Sequence, residues 1–389
     1  MIRNHLILIP FNLPWEWSTD YTNQTAYILS KENVVICYMW SESYSLKEYA
    51  QKLKLPRIVK KHSKNLYLYY PIFLIPFRRI RVVHNLNEKL NFLFLKVLIK
   101  LFELTNRTKE KLLWIFDPRT GYMTDYLGKG WKEIYDCVDF WSATAKTKEE
   151  KKVIEGEEKD LTKRADLVIA ISTVLQKHLQ RYRKDVYLVP QGFRLKDFEN
   201  MKNYDTQKIK AKKPIIGFAG AINHRLDYNL LLSLAKNNPQ WSFVIWGPVL
   251  EEEKIPDKVK QLKKKLLKLP NVSTGFLKDR KTLPGIIKQF DISIIPYDIS
   301  QDFNKYCYPM KLFEYFYIGK PIVSTPIEEL KRFPGLVKIG RDEKEWEKHI
   351  KSFLSKPWPK ENKVLQKRLA EENSWENKVD TILVKINNN

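Results

Sequence analysis

The chain has 389 residues, 43% of them hydrophobic and 13% aromatic, a size and composition that suit two domains with cores of their own. Its formal net charge of +24 favours an anionic partner such as a membrane, a nucleic acid or a phosphorylated substrate, although a coding bias toward Lys, Asn and Ile would also produce it. No apolar run of about 18 residues is free of charge, which excludes a transmembrane helix. Three widely spaced cysteines exclude a disulfide framework and a cysteine metal cluster, and favour a reducing cytoplasm: Cys37, Cys137 and Cys307.

The first strand is followed by a loop rich in tryptophan. Residues 6–9 predict a buried strand rather than a signal peptide. The loop after it contains Trp15, Trp17 and Asp20, and a helix is predicted over residues 24–30. Sugar rings stack on aromatic side chains and sugar hydroxyls bind carboxylates, so these three residues are candidates for binding a sugar acceptor. Loop tryptophans also cover cores, and the sequence leaves both interpretations open.

A long basic helix is predicted in the first half of the chain. Residues 34–38 predict a second strand, residues 41–66 predict helix and loop, and residues 66–75 are apolar and aromatic. The helix covers residues 78–104. Its apolar side chains share one face and its lysines lie among the others: Leu90, Leu93, Phe94, Val97, Leu98 and Leu101, with Lys89, Lys96 and Lys100. This pattern favours an element that lies on a membrane surface, and the alternative is a helix whose apolar face packs on the core.

Three aspartates follow predicted strands of the first half. Asp117 follows a strand over residues 112–116, and Asp136 and Asp139 follow one over residues 133–135. The carboxyl ends of parallel strands meet at one edge of a sheet, where ligands bind, so these carboxylates are candidates for a site. Later segments complete the half: a helix over 149–165, strands over 167–171 and 186–189, and a polar linker over 196–213.

The second half opens with a strand, a small-residue loop and a helix, which together predict a phosphate site. The strand covers residues 215–218, and the loop contains Gly220, His224 and Arg225. Gly247 ends the next strand. The remaining predictions are strands over 243–246, 271–275 and 337–339 and helices over 283–290, 343–354 and 376–386.

Residues 291–325 predict one βαβ unit of a parallel sheet. A strand over 292–295 leads into a polar loop from Tyr297 to Asn304, and Pro309 precedes a helix over residues 310–317 that Gly319 ends. Lys311 and Glu314 share one face of the helix at its start. A lysine at a helix N-terminus suits a phosphate, and a carboxylate suits the two hydroxyls of a ribose. Spacing alone also allows an ordinary surface Lys–Glu pair.

The same unit carries a recognisable motif. The pattern P-x-K-x-x-E-Y-x-x-x-G-K-P-I-V over residues 309–323 resembles the nucleotide-binding signature of GT-B glycosyltransferases of the family 4 type. Many members have a second Glu separated from the helix Glu by seven residues, and this chain has Tyr306 at that position, eight before Glu314. Asn304, Cys307 and Tyr308 are therefore the residues to test for its role. The segments P-W-E-W, W-I-F-D-P and Y-D-C-V-D-F resemble a bacterial subgroup that assembles cell-surface polysaccharides of the teichuronic-acid type.

The resemblance implies the fold, which is α/β of the GT-B type with two Rossmann-like doubly wound domains facing across a cleft. The acceptor-binding domain is expected over residues 1–195 with the terminal helix 375–389, and the nucleotide-sugar domain over residues 214–374. Catalytic roles are implied for Arg225, Lys311 and Asp117. Donor binding is implied for Gly220, His224, Gly247, Tyr297, Asn304, Lys311 and Glu314, and acceptor binding for Trp15, Trp17, Asp20 and Asp139.

The implied activity is transfer of a sugar from a nucleotide donor, UDP- or GDP-linked, to a lipid-linked or growing surface glycan, with retention at the anomeric carbon. No Asp-x-Asp occurs in the sequence, so neither a metal nor another cofactor is expected. The expected location is the cytoplasm. There the protein is expected to bind the anionic lipid surface at the inner face of the plasma membrane. Two alternatives stay open: a sugar-nucleotide epimerase of the same fold, and a non-catalytic subunit of polysaccharide assembly. Nucleic acid is not an expected partner, because no basic motif interleaved with aromatics is present.

Overall fold

The computed structural model describes residues 3–11, 14–15, 21–40, 44–45, 58–75, 80–106, 108, 110–199, 207–248, 256–277 and 279–388. The chain divides into two compact units. The first unit comprises Met1–Pro190 and Trp375–Asn389, and the second comprises Gln191–Ser374. The division falls upstream of the polar segment 196–213, and each unit contains one large sheet.

The strands are numbered β1 to β16 along the described part of the chain. They are β1 Leu6–Phe11, β2 Val34–Met39, β3 Tyr44–Ser45, β4 Val59–Ser63, β5 Leu66–Tyr69, β6 Ile72–Phe73, β7 Lys111–Ile115, β8 Trp131–Cys137, β9 Leu167–Ala170, β10 Val186–Leu188, β11 Ile215–Ala219, β12 Ser242–Trp246, β13 Val272–Gly275, β14 Ile292–Ile295, β15 Ile322–Ser324 and β16 Val337–Ile339.

The helices are numbered α1 to α14 in the same way. They are α1 Tyr21–Leu29, α2 Arg81–Asn106, α3 Met123–Leu127, α4 Lys148–Arg164, α5 Thr173–Leu179, α6 Lys196–Glu199, α7 Tyr228–Asn237, α8 Asp257–Leu266, α9 Leu283–Gln289, α10 Asp302–Lys305, α11 Lys311–Ile318, α12 Glu343–Leu354, α13 Lys360–Glu372 and α14 Trp375–Asn388. Short 3-10 turns occupy Pro118–Thr120, Trp141–Thr144, Arg280–Thr282 and Glu328–Arg332.

The first unit is built on an eight-stranded sheet in the order β10-β9-β8-β7-β1-β2-β5-β4. All neighbours are parallel except β4 and β5, which are antiparallel. Strands β1 and β2 are buried along their whole length, because a parallel sheet covered on both faces needs apolar side chains on both. The chain adds strands on one side of β1 and then returns to add β7 on the other, so the topological switch point lies between β1 and β7.

The second unit is built on a six-stranded parallel sheet in the order β13-β12-β11-β14-β15-β16. Its switch point lies between β11 and β14, which pair with each other at the centre of the sheet. The loops after these two strands contain Arg225 and Tyr297, and a two-residue antiparallel bridge joins Leu226 to Tyr297. The predicted α/β class with two doubly wound sheets is therefore confirmed.

The helix returning to the first unit is α14. It packs against α1, and its Trp375, Val379, Ile382 and Leu383 are buried. On the buried side of α14, Lys378 Nζ lies 3.3 Å from Asp136 Oδ1, and both side chains are at most 1% exposed. Burial lowers the pKa of Lys378, and the Asp136 carboxylate opposes that shift.

Several predictions differ from the structure. Residues 59–63 form β4, where helix and loop were predicted. The prediction failed because four exposed polar residues in a row hide the alternation of an edge strand that pairs on one side only. Residues 302–305 form the short helix α10 inside the predicted loop. Helices α8 and α13 have no counterpart among the predictions.

Helix α2 packs on the core through a different face from the predicted apolar one. Phe92, Leu95 and Ile99 pack on the core, while Leu93 and Val97 of the predicted apolar face are exposed. No helix in the described ranges is long and apolar enough to cross a membrane.

Candidate functional site

Three loops of the second unit meet at the carboxyl edge of its sheet, next to the switch point. The backbone N–H of Gly220 donates to Trp246 O over 2.8 Å, and the N–H of Gly247 donates to Gly275 O over 2.6 Å. A Cβ on Gly247 would overlap the carbonyl oxygen of Gly220 and lie 2.6 Å from its carbonyl carbon. Glycine is therefore required at position 247 so that the loops after β11 and β12 can lie against each other.

Lys311 extends from the start of α11 to the space that Gly220 leaves open. A Cβ on Gly220 would overlap Lys311 Cε and lie 2.6 Å from Nζ. The ammonium lies 5.3 Å from the centre of the Phe218 ring and 6.0 Å from that of Tyr297. Lys311 has no carboxylate within ion-pair distance among the residues that the structure describes, so its charge is available to an anion.

Arg225 also lies against the Tyr297 ring. Its guanidinium carbon is 4.6 Å from the centre of the Tyr297 ring and 4.7 Å from that of Phe303. Its Nε donates to Asn304 Oδ1 over 2.7 Å. Asn304 is fully buried and its amide donates in turn to Arg225 O and Asp298 O. Asn304 therefore joins the loops after β11 and β14 and fixes Arg225, rather than presenting its amide to a ligand.

The structure thus brings together four predicted donor residues and the predicted catalytic residue Arg225: Gly220, Tyr297, Asn304 and Lys311, with Arg225 beside Tyr297 and Asn304. Two cationic side chains contact the same aromatic ring at the switch point of a parallel sheet, where ligands of such folds bind. Stacking on aromatic rings restricts both cations before any ligand arrives. An anion between them would gain charge-assisted hydrogen bonds from groups that already occupy the required positions.

Glu314 forms an ion pair with a residue that the sequence did not identify. Arg280 Nη2 donates to Glu314 Oε1 over 2.7 Å, and Arg280 Nε donates to Asp197 Oδ2 over 3.1 Å. Asp197 also pairs with Arg194 at 3.0 Å. Burial lowers the pKa of Arg280, but the carboxylates of Glu314 and Asp197 outweigh it, so the pKa lies above its usual value. This ion-pair chain holds the Glu314 carboxylate in one orientation.

The motif around Glu314 has a geometric explanation. Successive polar side chains of α11 contact different segments: Lys311 contacts Gly220, Glu314 contacts Arg280, and the Tyr315 hydroxyl accepts from Ala219 N over 2.9 Å. Tyr315 also donates to Ile294 O at 3.4 Å, so it joins α11 to the ends of β11 and β14. Gly319 ends the helix in the left-handed conformation at φ 72°, which confirms the predicted C-cap.

The segment before α11 does not supply a replacement carboxylate. Tyr306 ends α10 and is half-buried, with Lys305 Nζ 5.3 Å from its ring centre. Cys307 Sγ donates to Asn304 O over 3.1 Å, and the buried Tyr308 ring stacks on Phe313. All three are structural supports of the loop in this conformation.

His224 lies against a cavity of about 570 Å³ on the α7 and α12 side of the sheet. Carboxylates line this cavity, among them Asp227, Asp298 and Glu343. Burial raises the pKa of Asp227, and the neighbouring Asp298 raises it further. These carboxylates would repel a diphosphate, whereas the cations Lys311 and Arg225 would attract one.

The predicted residues of the first unit lie near its own switch point. Trp15 follows β1 and is only 7% exposed, because its ring packs against Phe11, Tyr27 and His62. This packing corresponds to the core-covering interpretation and leaves little of the ring for a sugar. Trp17 and Asp20 lie outside the described residues.

Asp117 follows β7 and is held by a nearby arginine. Arg119 Nε and Nη2 donate to the two carboxylate oxygens, over 2.9 Å to Oδ1 and 2.6 Å to Oδ2. Both oxygens are thus engaged, so the role of Asp117 in catalysis stays a prediction. Asp139 follows β8 and is half-buried. Its role as an acceptor ligand also stays a prediction.

Solved structures of other proteins share this architecture over the whole chain. Sucrose-phosphate synthase from Thermosynechococcus elongatus is 14% identical with a TM-score of 0.70, and the match covers 99% of this chain and 98% of that one. Anabaena HepE in complex with UDP-glucose is 12% identical with a TM-score of 0.63, covering 99% of this chain and 100% of HepE. At these identities the likeness shows the fold, which is GT-B.

Sequence comparison finds similarity in both a family search and a single relative. Residues 200–372, most of the second unit, match the family described as Glycosyl transferases group 1. Over 204 residues the chain is 31% identical to TuaH of Bacillus subtilis, a protein named for teichuronic acid biosynthesis as a glycosyltransferase. That alignment covers 49% of this chain and 50% of TuaH, so the chain matches about half the length of this relative.

Proposed function

We propose that the protein transfers a sugar from a nucleotide-sugar donor, bound by the second unit, to a glycan acceptor bound by the first. The observation that carries this proposal is the pair of cations, Arg225 and Lys311, on the Tyr297 ring at the switch point between β11 and β14. Their position suits the diphosphate of a nucleotide sugar. The UDP and UDP-glucose bound in HepE support this class of donor.

The chemical role of the two cations is to stabilise the leaving group. When the bond between the anomeric carbon and the diphosphate breaks, negative charge grows on the diphosphate oxygens. Arg225 and Lys311 are held beside the expected position of these oxygens, so their charge stabilises the transition state more than the ground state. In this proposal transfer proceeds without a divalent metal and with retention, and the leaving diphosphate assists deprotonation of the acceptor hydroxyl.

The acceptor in this proposal is a lipid-linked or growing surface glycan at the inner face of the plasma membrane. Support comes from the likeness to TuaH, whose name refers to teichuronic acid, and from the resemblance of the segments P-W-E-W and Y-D-C-V-D-F to a subgroup of that type. The location follows from the acceptor, since such glycans are assembled at a membrane.

The first experiment identifies the donor and tests its site. A thermal-shift panel of UDP- and GDP-sugars selects the donor, whose affinity is then measured by calorimetry for the wild type, Lys311→Met and the exposed control Lys344→Met. Loss of one charge-assisted hydrogen bond costs about 1.5–3 kcal/mol, so Lys311→Met is expected to weaken binding roughly 10- to 100-fold. Lys344→Met is expected to bind as the wild type does. Wild-type affinity in Lys311→Met would place the donor elsewhere.

The second measurement follows transfer to a lipid-linked acceptor in EDTA. Activity is expected to persist, because protein cations take the role that a metal has elsewhere. Activity lost in EDTA and restored by Mn²⁺ or Mg²⁺ contradicts metal independence. Release of a free epimerised nucleotide sugar without acceptor would instead identify the epimerase.

A further inference from the structure

Helix α2 is fixed to the first unit through one face. The Asn91 side chain accepts from Ile72 N and donates to Ile72 O, both over 2.8 Å. One turn earlier, Asn87 makes the same pair of bonds to Ile75, both over 2.9 Å. Tyr69 adds a hydrogen bond to Asn91 O. These bonds set the rotation of the helix about its axis, so its opposite face is turned away from the core.

That opposite face is apolar. We define it as the outer stripe, with exposed fractions from 46% at Leu86 to 75% at Val82: Val82, Leu86, Leu93, Phe94, Val97, Leu101 and Leu104. At 100° per residue these positions fall within a sector of about 120°, and from 82 to 104 they extend over about 33 Å. An ordered row of large exposed apolar side chains marks an interaction surface rather than the scattered exposure that any protein has.

Lysines border the outer stripe along one side. Lys89, Lys96 and Lys100 are exposed, and their helical positions adjoin those of Val82 and Leu93. A second source of charge lies beside the helix. Tyr67 of β5 packs on Phe102 with ring centres 4.5 Å apart, and Lys61 of β4 lies 5.8 Å from the Tyr67 ring. Lys60 and Lys61 are exposed on this strand, so it adds positive charge near the C-terminal end of the stripe.

We propose that the outer stripe and its bordering lysines bind the surface of a membrane that contains anionic lipid. The apolar side chains enter the boundary between headgroups and acyl chains, and the lysine ammonium groups remain at the phosphates. The helix lies parallel to the surface because its other face is bonded to the sheet. A second copy of the chain is a poor occupant, since it would bring the same lysines, and another net charge of +24, against the first.

This inference goes beyond the transfer reaction and does not depend on it. It does supply a reason for the acceptor to be lipid-linked, because a stripe fixed to the acceptor-side unit would hold that unit at the membrane. Vesicle binding and donor binding are separate measurements. Failure of one therefore leaves the other proposal standing.

The test is co-sedimentation of the full chain with phosphatidylcholine vesicles, with and without phosphatidylglycerol. Binding is expected to require phosphatidylglycerol and to fall as salt is raised. The triple variant Leu93→Ser, Val97→Ser and Leu101→Ser, on exposed positions, is expected to lose most binding even at low salt. The triple variant Lys89→Gln, Lys96→Gln and Lys100→Gln is expected to bind roughly a hundredfold more weakly, since each lysine near an anionic surface contributes about fivefold.

Matched controls separate local from total charge. Lys344→Gln, Lys348→Gln and Lys356→Gln remove the same charge from exposed positions of the second unit and are expected to bind nearly as the wild type does. Equal binding to neutral and anionic vesicles, or wild-type binding by either stripe variant, overturns the proposal. So does concentration-dependent self-association that the serine variant abolishes, because the occupant is then a second copy.

Discussion

The position of the Lys311 side chain depends on the absence of a Cβ at residue 220. Gly220 has no Cβ, and the space that a Cβ would occupy is filled by the end of the Lys311 side chain. The obstacle would be the mobile end of a flexible side chain, not a backbone atom. The φ of Gly220 is 159°, a conformation that residues with a side chain rarely adopt, so a substitution there strains the backbone as well as displacing Lys311.

We expect Gly220→Ala to lose some stability through backbone strain and to bind the donor as weakly as Lys311→Met. The added methyl displaces the ammonium from the edge of the sheet. The measurements are thermal unfolding and donor calorimetry. The double variant should be no weaker than either single one, because both changes remove the same interaction.

Gly247→Ala provides the contrast. Its methyl would meet the backbone of Gly220, which cannot move without disturbing two loops. This variant is expected to lose stability and donor binding together. If Gly220→Ala kept full donor affinity, the assigned position of Lys311 would be wrong.

The sequence predicted single residues well where a local motif carried them. Pro309, Lys311 and Gly319 belong to the start and stop signals of a single helix in the βαβ unit of residues 291–325. Their positions therefore follow from residues close to them in the chain. The partner of Glu314 does not, because Arg280 lies 34 residues away in the chain and becomes a neighbour only when α9 and α11 pack on the same sheet. The stacking of Arg225 on Phe303 is a contact of the same long-range kind.

At the scale of elements, α11 is the part of the second unit through which its loops are coupled. Its contacts extend to β11, β14 and the 3-10 turn that contains Arg280. Arg280 connects this helix to α6 through Asp197. The ion pairs thus join three segments that are distant in the chain.

We expect Arg280→Met to destabilise the protein by about 3 kcal/mol at neutral pH, because it leaves the buried Glu314 carboxylate without its cation. Donor affinity should fall as well, since Glu314 is no longer held in one orientation. Calorimetric unfolding and donor binding measure the two effects. The control is Arg341→Met, which breaks an exposed pair with Glu345 and should cost under about 1 kcal/mol. Equal stability of the two variants would contradict a structural role for Arg280.

Elements were predictable where the hydrophobic pattern was continuous and unambiguous. Strands such as β1 and β2, buried on both faces, appear as continuous apolar runs. Strand β4 was missed because an edge strand has an exposed polar sequence. The position of helix α2 in the chain was predicted, but its rotation about its own axis was not. Its core face includes Asn87 and Asn91, which bond to the backbone, while its leucines are divided between core and surface.

At the scale of the whole molecule, the first unit is made from two separate parts of the chain. Residues 375–388 form α14, which packs on α1 although residues 191–374 intervene as the second unit. Besides apolar contacts, α14 contributes the fully buried Lys378 to the Asp136 carboxylate, which also accepts from Trp114 Nε1 at 3.4 Å.

We expect Lys378→Met to destabilise the first unit by about 3–5 kcal/mol, because it leaves Asp136 charged and buried without its cation. Adding Asp136→Asn should restore most of the loss, since the double variant has no buried charge and Asn can still accept from Trp114. Thermal unfolding by calorimetry measures both. The control is Lys31→Met, which breaks a more exposed ion pair between Lys31, after α1, and Glu376 of α14, and should change little. A double variant as unstable as the single one would show that the pair is not the cause.

The return of α14 to the first unit has a consequence for the order of events on the ribosome. Domains generally fold as they are synthesised, at about 5–20 residues per second. The first unit can form its sheet early, but the groove that α14 covers stays open until all of residues 191–374 have been made, a delay of roughly ten to forty seconds at that rate. During this interval the Asp136 carboxylate has no lysine, and the apolar surface beneath α14 is accessible to chaperones. Nascent chains stalled before residue 375 should therefore be bound by chaperones and cut by proteases more readily than chains stalled beyond α14.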